Sequence, residues 1–383
     1  MKITDIRVHI LQSELEQPFA FSQGWVKARS ATIVEIHTDH GLIGWGEAFA
    51  QGLESPQIAA SAIEYSLKPL ILGQDPRNIE VLWHSMYNHT RDFGRKGSII
   101  AAISGIDIAL WDLLGKAYEA PVSQLMGGRF RDVVQPYATG FYRLNGQNEA
   151  DRLAEEAVAH NDAGFKAMKI KLGFGVNDDI KVMQQIGRAI EGRTVELMVD
   201  TNHAYGRTEA LRLGRVLDEY DLRWYEEPVP AEDVGGYIEL RQKLKTPIAG
   251  GENEHSIYGF RELLNCHAVD IVQPDIGSCG GVTGARHVAA LAQANGIEVN
   301  PHVWGSGVAQ AASLQVLAAL PTAVHSLYAR QPILEYDRSS HPFRDDLVDR
   351  PLSLNTNGMV EISEKPGLGI EVNQEVVNKY KIN

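Results

Sequence analysis

Apolar and polar residues alternate from Lys2 to Leu11, and again from Ala31 to His37, where β-branched residues dominate. Asp39-His40-Gly41 makes a turn, and Leu42 to Glu47 returns. A period of two over short runs bounded by turn residues predicts strands, so residues 1–50 read as a small meander. Gln17 to Ser30 reads as a loop between its strands and carries Phe19, Phe21, Trp25 and Lys27. Long loops often bind ligands, so these aromatic residues are either a packed turn or a substrate lid. From Gln57 to about Tyr118 the period becomes helical. Ile99 to Leu114 is apolar around nearly its whole circumference, which predicts a buried helix. The basic stretch Arg91 to Gly97 before it reads as a solvated turn or as an anion contact near a helix N-terminus.

Gly127-Gly128-Arg129 breaks the pattern, and a strand-then-helix unit recurs from about Val133. The predicted strands are Val134–Gly140, Ala167–Leu172, Val195–Asp200, Arg223–Glu226, Pro247–Gly250, Val269–Gln273, Glu298–Pro301 and Ile333–Glu335. Eight strands alternating with helices argue for an α/β fold with a closed parallel barrel. No Gly-x-Gly-x-x-Gly follows the first strand, so the dinucleotide fingerprint is missing. From Asp337 a polar tail begins, with short strands expected near Leu352 and at Met359 to Ile362, returning to the N-terminal part. The chain therefore divides into an α+β unit (1–128), a barrel (129–336) and a returning tail (337–383).

Composition narrows the function. A chain of 383 residues exceeds one ordinary core. The net charge of -13 argues against a nucleic-acid surface, and an anionic substrate would need concentrated positive charge or a metal. Cys266 and Cys279 are too few for a disulfide framework or a zinc site, and both read as buried small hydrophobes. No apolar signal region is visible, and no run approaches the roughly 20 apolar residues of a membrane span. A cytoplasmic location without membrane partners is the expectation.

Polar residues at barrel strand C-termini read as catalytic. Here they are Lys169, Lys171, Asp200, Glu226, Glu252, Asp275, His302 and Glu335. Asp200, Glu226 and Glu252 recur at equal intervals of one strand plus one helix, which places them side by side. Three carboxylates without cysteine or paired histidine are oxygen ligands for a hard cation, and Mg²⁺ is favoured. Such an ion binds a carboxylate and stabilises the dianion left when an α-proton departs. Lys169 and Lys171 are two apart, so they share a face, and crowded ammonium groups near a cation depress each other's pKa. Asp275 beside His302 orients the imidazole and keeps it basic. The set is arranged for proton removal α to a carboxylate.

These residues resemble the enolase superfamily, in its mandelate racemase subgroup, over essentially the whole chain. Ala102 to Lys116, continuing through Pro121 and Leu125-Met126-Gly127, resembles that subgroup's first signature. Asp200-Thr201-Asn202 through Glu226-Glu227-Pro228 resembles its second, with Tyr225 where an aliphatic residue is more usual. The resemblance implies a capping domain formed by both chain ends over a modified (β/α)7β TIM barrel. It implies Mg²⁺ on Asp200, Glu226 and Glu252, Lys171 as base, and Lys169 on the substrate carboxylate. It gives His302 with Asp275 as the opposite acid–base dyad. Asn202 and Glu335 would contact substrate, and stretches around Phe21–Trp25 and Gly52–Ser55 would close the site. A homo-oligomer is also implied. Within the subgroup the chain looks most like sugar-acid enzymes, galactarolactone cycloisomerases among them, with Asn253-Glu254-His255 as a departure. The expected reaction is β-elimination from a sugar acid or aldarolactone. Racemisation or epimerisation of a 2-hydroxy acid is the alternative, using the same residues as opposed bases.

Overall fold

The structure is a computed structural model describing residues 1–50, 53–146 and 148–382. Gly52, in the stretch expected to help close the site, lies outside the described residues. The chain begins with an antiparallel sheet of β1 (Ile3–Phe21), β2 (Gly24–Thr38) and β3 (Ile43–Ala48). The expected loop from Gln17 to Ser30 is corrected here. Both strands run through it, and their ladder continues to Phe21 opposite Gly24. The reason is burial: Phe19, Ala20 and Val26 are all enclosed, so extended backbone has side chains to pack. β1 carries extra residues between Glu14 and Phe19, and this bulge bends the hairpin.

Helix Ser98–Ala117 packs across β3, as its all-round apolar pattern predicts. Glycines allow the close approach: a Cβ on Gly46 would lie 2.1 Å from the Gly105 carbonyl oxygen. The expectation that no segment approaches a membrane span needs correcting, because this helix is long and apolar enough to cross one by length and composition. Most of it is buried inside the protein, with Asp107 and Asp112 enclosed.

The chain enters its second half through β4 (Val133–Val134). The eight expected barrel strands follow as β5 (Pro136–Thr139), β6 (Ala167–Lys171), β7 (Glu196–Asp200), β8 (Tyr225–Glu226), β9 (Ile248–Gly250), β10 (Ile271–Val272), β11 (Glu298–Val299) and β12 (Leu334–Asp337). Their order in the sheet is β11-β10-β9-β8-β7-β6-β5-β12, and every paired neighbour is parallel. Among the described residues, β11 and β12 share no ladder. Side chains join them instead: the Ile333 amide donates to Asn300 Oδ1 at 2.8 Å, and the Val303 amide donates to Glu335 Oε2 at 3.2 Å. The curled sheet is thus a modified TIM barrel.

Its interior is layered. Tyr137, Ala167, Met198, Trp224, Ala249, Ile271 and Ile333 form a separate apolar cluster, five of them on strands and Trp224 and Ile333 immediately before β8 and β12. Side chains repeat every second residue along a strand. Two residues beyond this cluster stand Lys169, Asp200, Glu226, Gln273 and Glu335. An apolar floor therefore lies directly beneath the polar layer.

The tail returns to the N-terminal half. β13 (Val360–Glu361) pairs antiparallel with β4. The Leu368 amide donates to Asp112 Oδ1 at 2.9 Å, and Ile382 donates to the Ile10 carbonyl at 2.9 Å. The strand expected near Leu352 is not formed. Cys279 is buried as expected, whereas Cys266 is exposed, because it follows the last turn of helix Ser256–Asn265.

Candidate active site

Adjacent parallel strands bring Lys171, Asp200, Glu226 and the residues after Ala249 into neighbouring positions. Lys171 pairs with Asp200, and Asp200 with Glu226. Gly251 has φ of 122°, a conformation glycine adopts freely, and it turns the chain so that Glu252 joins the other acids. Ligand atoms of Asp200, Glu226 and Glu252 all lie within 4.8 Å of one another. Glu252 Oε2 is buried without a hydrogen-bond partner. Three converging carboxylates, one with an unsatisfied oxygen, fit a hard divalent cation.

The lysines flank this cluster. Lys169 Nζ lies 2.6 Å from Glu226 Oε1, 2.9 Å from Glu335 Oε1 and 3.7 Å from Asp200 Oδ2. Lys171 Nζ donates to Asp200 Oδ2 and, at 3.0 Å, to Asn202 Oδ1. Burial opposes charge on both lysines, but the carboxylates outweigh it and raise both pKa values. The expected depression of the base is not met: both lysines are pushed up, not down. A divalent ion held among the acids would offset part of that pull.

Across the barrel mouth, His302 Nδ1 lies 2.6 Å from Asp275 Oδ2. The backbones of these two residues form an isolated parallel bridge that extends β10 and β11. His302 Nε2 faces inward, 3.4 Å from Glu252 Oε2 and 3.8 Å from Glu335 Oε2. Burial works against its charge, yet Glu252, Glu335 and Asp275 push the imidazole up to about 10. A ring held by Asp275 on one nitrogen and open toward the acids on the other can carry a proton to or from a bound molecule.

Two supports escaped the sequence reading. Trp224 Nε1 and Gln273 Nε2 donate to Glu226 Oε2 at 2.8 and 2.7 Å. The signal was present: Trp224 precedes Glu226 by two, so both point into the barrel. Asn253, within the departing stretch, donates to Glu227 Oε1 at 2.7 Å. The basic turn is tied down by Lys96, which donates to Glu254 Oε1 at 2.8 Å.

The aromatic residues of the hairpin part company. Phe21 meets the edge of Trp304 at 6.2 Å between centroids, and Trp304 follows His302 by two residues. Trp25 is 45% exposed and makes no ring contact among the described residues. Arg29, also expected in the loop, is fully buried instead. It donates to Asp337 Oδ2 at 3.0 Å and lies over the Trp304 ring at 4.2 Å.

Barrel, capping sheet and cluster together define the class. The family models for the mandelate racemase / muconate lactonizing enzyme N-terminal domain and for the enolase C-terminal domain-like fold match residues 4–127 and 152–376. The chain belongs to the enolase superfamily, and it is an enzyme of the lyase and isomerase type. Among its relatives, D-galactarolactone cycloisomerase of Agrobacterium fabrum strain C58 is 40% identical, over 100% of this chain and 99% of that protein. The 3,6-anhydro-D-galactonate cycloisomerase of Zobellia galactanivorans is 37% identical with a TM-score of 0.89, over 100% of both chains. A variant of L-talarate/galactarate dehydratase, solved with Mg and L-glucarate, is 28% identical with a TM-score of 0.87, over 100% of this chain and 92% of that one.

Proposed function

We propose that this enzyme removes the proton α to the carboxylate of a sugar acid or aldarolactone and then expels the β-oxygen. The observation that carries the proposal is the acid cluster with a lysine pair on one side and a histidine–aspartate pair on the other. Asp200, Glu226 and Glu252 would hold Mg²⁺, which supplies charge stabilisation for the substrate carboxylate as it becomes an enediolate. Lys169 binds that carboxylate, and Lys171 takes the α-proton. Asn202 and Glu335 contact the substrate or its intermediate. His302, oriented by Asp275, protonates the β-oxygen where it departs as a hydroxyl. The lining by Phe21 and Trp25 on the hairpin belongs to substrate choice.

The outcome depends on what the β-oxygen is attached to. A lactone ring oxygen leaves without separating from the molecule, so the ring opens and the product is an isomer. A free hydroxyl leaves as water. Either product tautomerises to a 3-deoxy-2-keto acid. The named relatives, cycloisomerases and a sugar-acid dehydratase, support this chemistry over racemisation.

A library of sugar acids and aldarolactones, incubated with enzyme and Mg²⁺ in D₂O, tests the proposal. A 2-keto product is expected. Deuterated substrate of inverted configuration, with no keto product, would replace elimination by racemisation.

A further inference from the structure

The tip of the β1–β2 hairpin does more than cover the barrel mouth. Ser22 Oγ lies 2.9 Å from the Thr201 carbonyl oxygen and 3.3 Å from that of Asn202. Gln23 Nε2 donates to the Asn202 carbonyl at 2.7 Å. These contacts join residues about 180 positions apart in sequence. Asn202 is the residue whose side chain accepts from Lys171 Nζ.

The segment being held is under strain. Asn202 and His203 have φ of 42° and 50°, two successive non-glycine residues in the left-handed region. Each costs free energy and persists only where its surroundings fix it. From below, the Asn202 amide donates to Asp200 Oδ1 at 2.7 Å and the His203 amide to the Glu227 carbonyl at 2.8 Å. Ser22 and Gln23 supply the hold from above.

The tip also touches the strand that carries the base. Gly173, two residues after Lys171, has φ of 94°, and a Cβ there would lie 2.7 Å from both Ser22 Cβ and the Thr201 carbonyl oxygen. On the hairpin's flank, Ala20 and Arg143 exchange backbone hydrogen bonds at 2.8 and 2.9 Å. The hairpin thus rests on the loops after β5, β6 and β7.

We infer that Ser22 and Gln23 are positioning residues for Lys171, acting through the Thr201–Asn202 backbone, so that the base is seated only while the hairpin is docked. This rests on Lys171 as the base in the proposed reaction. The consequence is ordered assembly. Lifting the hairpin to admit substrate releases Asn202, and closing it over substrate restores the Lys171–Asn202 contact.

The test is the double variant Ser22→Ala/Gln23→Ala, with Ser22→Thr as the conservative control. Neither side chain takes part in the β1–β2 backbone ladder, so the hairpin keeps its pairing. On D-galactarolactone, or whichever library member is turned over, kcat is expected to fall about 10-fold or more with KM nearly unchanged. The isotope effect of α-deuterated substrate should grow as proton abstraction becomes limiting. Ser22→Thr should stay near wild type. A second readout needs no turnover: with Mg²⁺ alone, amide exchange over residues 200–204 should quicken in the double variant. Unchanged exchange, or a change in KM with kcat and isotope effect intact, would overturn the inference. Failure of the base assignment reads differently: Lys171→Ala would keep turnover while the exchange difference remained.

Discussion

The two halves of the active site are held in different ways. From β6 to β9 the parallel ladder is continuous, and Lys171, Asp200 and Glu226 sit in register on it. Among the described residues no ladder joins β11 to β12, whereas Glu335 stays in register on β12 opposite Tyr137 of β5. Asp275 and His302 lie beyond the paired residues of β10 and β11 and depend on other supports. Those supports come largely from the N-terminal domain. Asp107 accepts from the Thr283 amide at the start of helix Gly281–Ala294, which follows β10. Glu47 accepts from the Ser306 and Ala309 amides at the start of helix Gly307–Ala319, which follows β11. Carboxylates at helix N-termini satisfy orphan amides and favour the dipole. The strands of the metal-and-lysine half are thus held by the barrel's own ladder, and the N-terminal domain touches this half through the hairpin tip at Thr201 and Asn202. The histidine half is completed by the domain packed on it.

The largest effect should come from the half held on the continuous ladder. Lys171→Ala removes the proposed base, and turnover should drop about 10³-fold or more. The fold should survive, because β6 keeps its ladder on both sides. Thermal melting beside steady-state kinetics checks this. A variant that lost both activity and fold together would show that the halves do not differ in this way.

Arg29→Met should weigh on stability instead. The ion pair with Asp337 joins β2 to the end of β12, with both side chains almost wholly enclosed. Removing Arg29 leaves the buried Asp337 carboxylate with Arg344 at 3.8 Å and the Ser339 hydrogen bonds as its remaining partners. The loss should be about 3 kcal/mol, the lower end for breaking a buried pair. Urea unfolding should show it. If the variant unfolds at the wild-type midpoint, the N-terminal domain does not anchor the second half as described.

Asp275→Asn is more local. The amide keeps the shape but not the charge that orients His302 and holds its proton. A fall of about 10²-fold in turnover is expected, with the isotope effect of α-deuterated substrate shrinking as the later step becomes limiting. An unaltered isotope effect would place His302 in the same step as Lys171.

The contrast also explains what the sequence could reveal. Asp200, Glu226 and Glu252 were legible because one strand-plus-helix repeat fixes their spacing, and the alternation within β6 put both lysines on one face. Asp275 and His302 were legible as strand ends. What held them was not: nothing local in the meander or the apolar helix marks Glu47 or Asp107 as a support, since their partners lie far along the chain. The hairpin misled for a related reason. Phe19 and Val26 sit around a bulge that breaks the period of two, so strand pairing looked like a loop. Long-range packing settled both, and no local pattern encodes it.

Asp107 gives the smallest change in turnover and the finest probe of that packing. Burial pushes its carboxyl up to about 7, against the Thr283 hydrogen bonds that favour the charged form. In the unfolded chain the same group titrates near 3.9. Between about pH 4 and 7 the folded protein therefore holds a proton that the unfolded chain has released. The stability this group contributes is complete below the unfolded value and is lost as pH rises through about 7. Asp107→Asn keeps an acceptor for the Thr283 amide and has no proton to lose. Urea midpoints at successive pH values, compared between variant and wild type, should show the variant with the flatter dependence over that window. Activity should be nearly unchanged, since Asp107 acts on the helix after β10 and touches none of Asp275, His302 or Glu335. Identical pH profiles would mean that Asp107 stays charged inside the fold, and the helix after β10 would then be held by a full carboxylate charge.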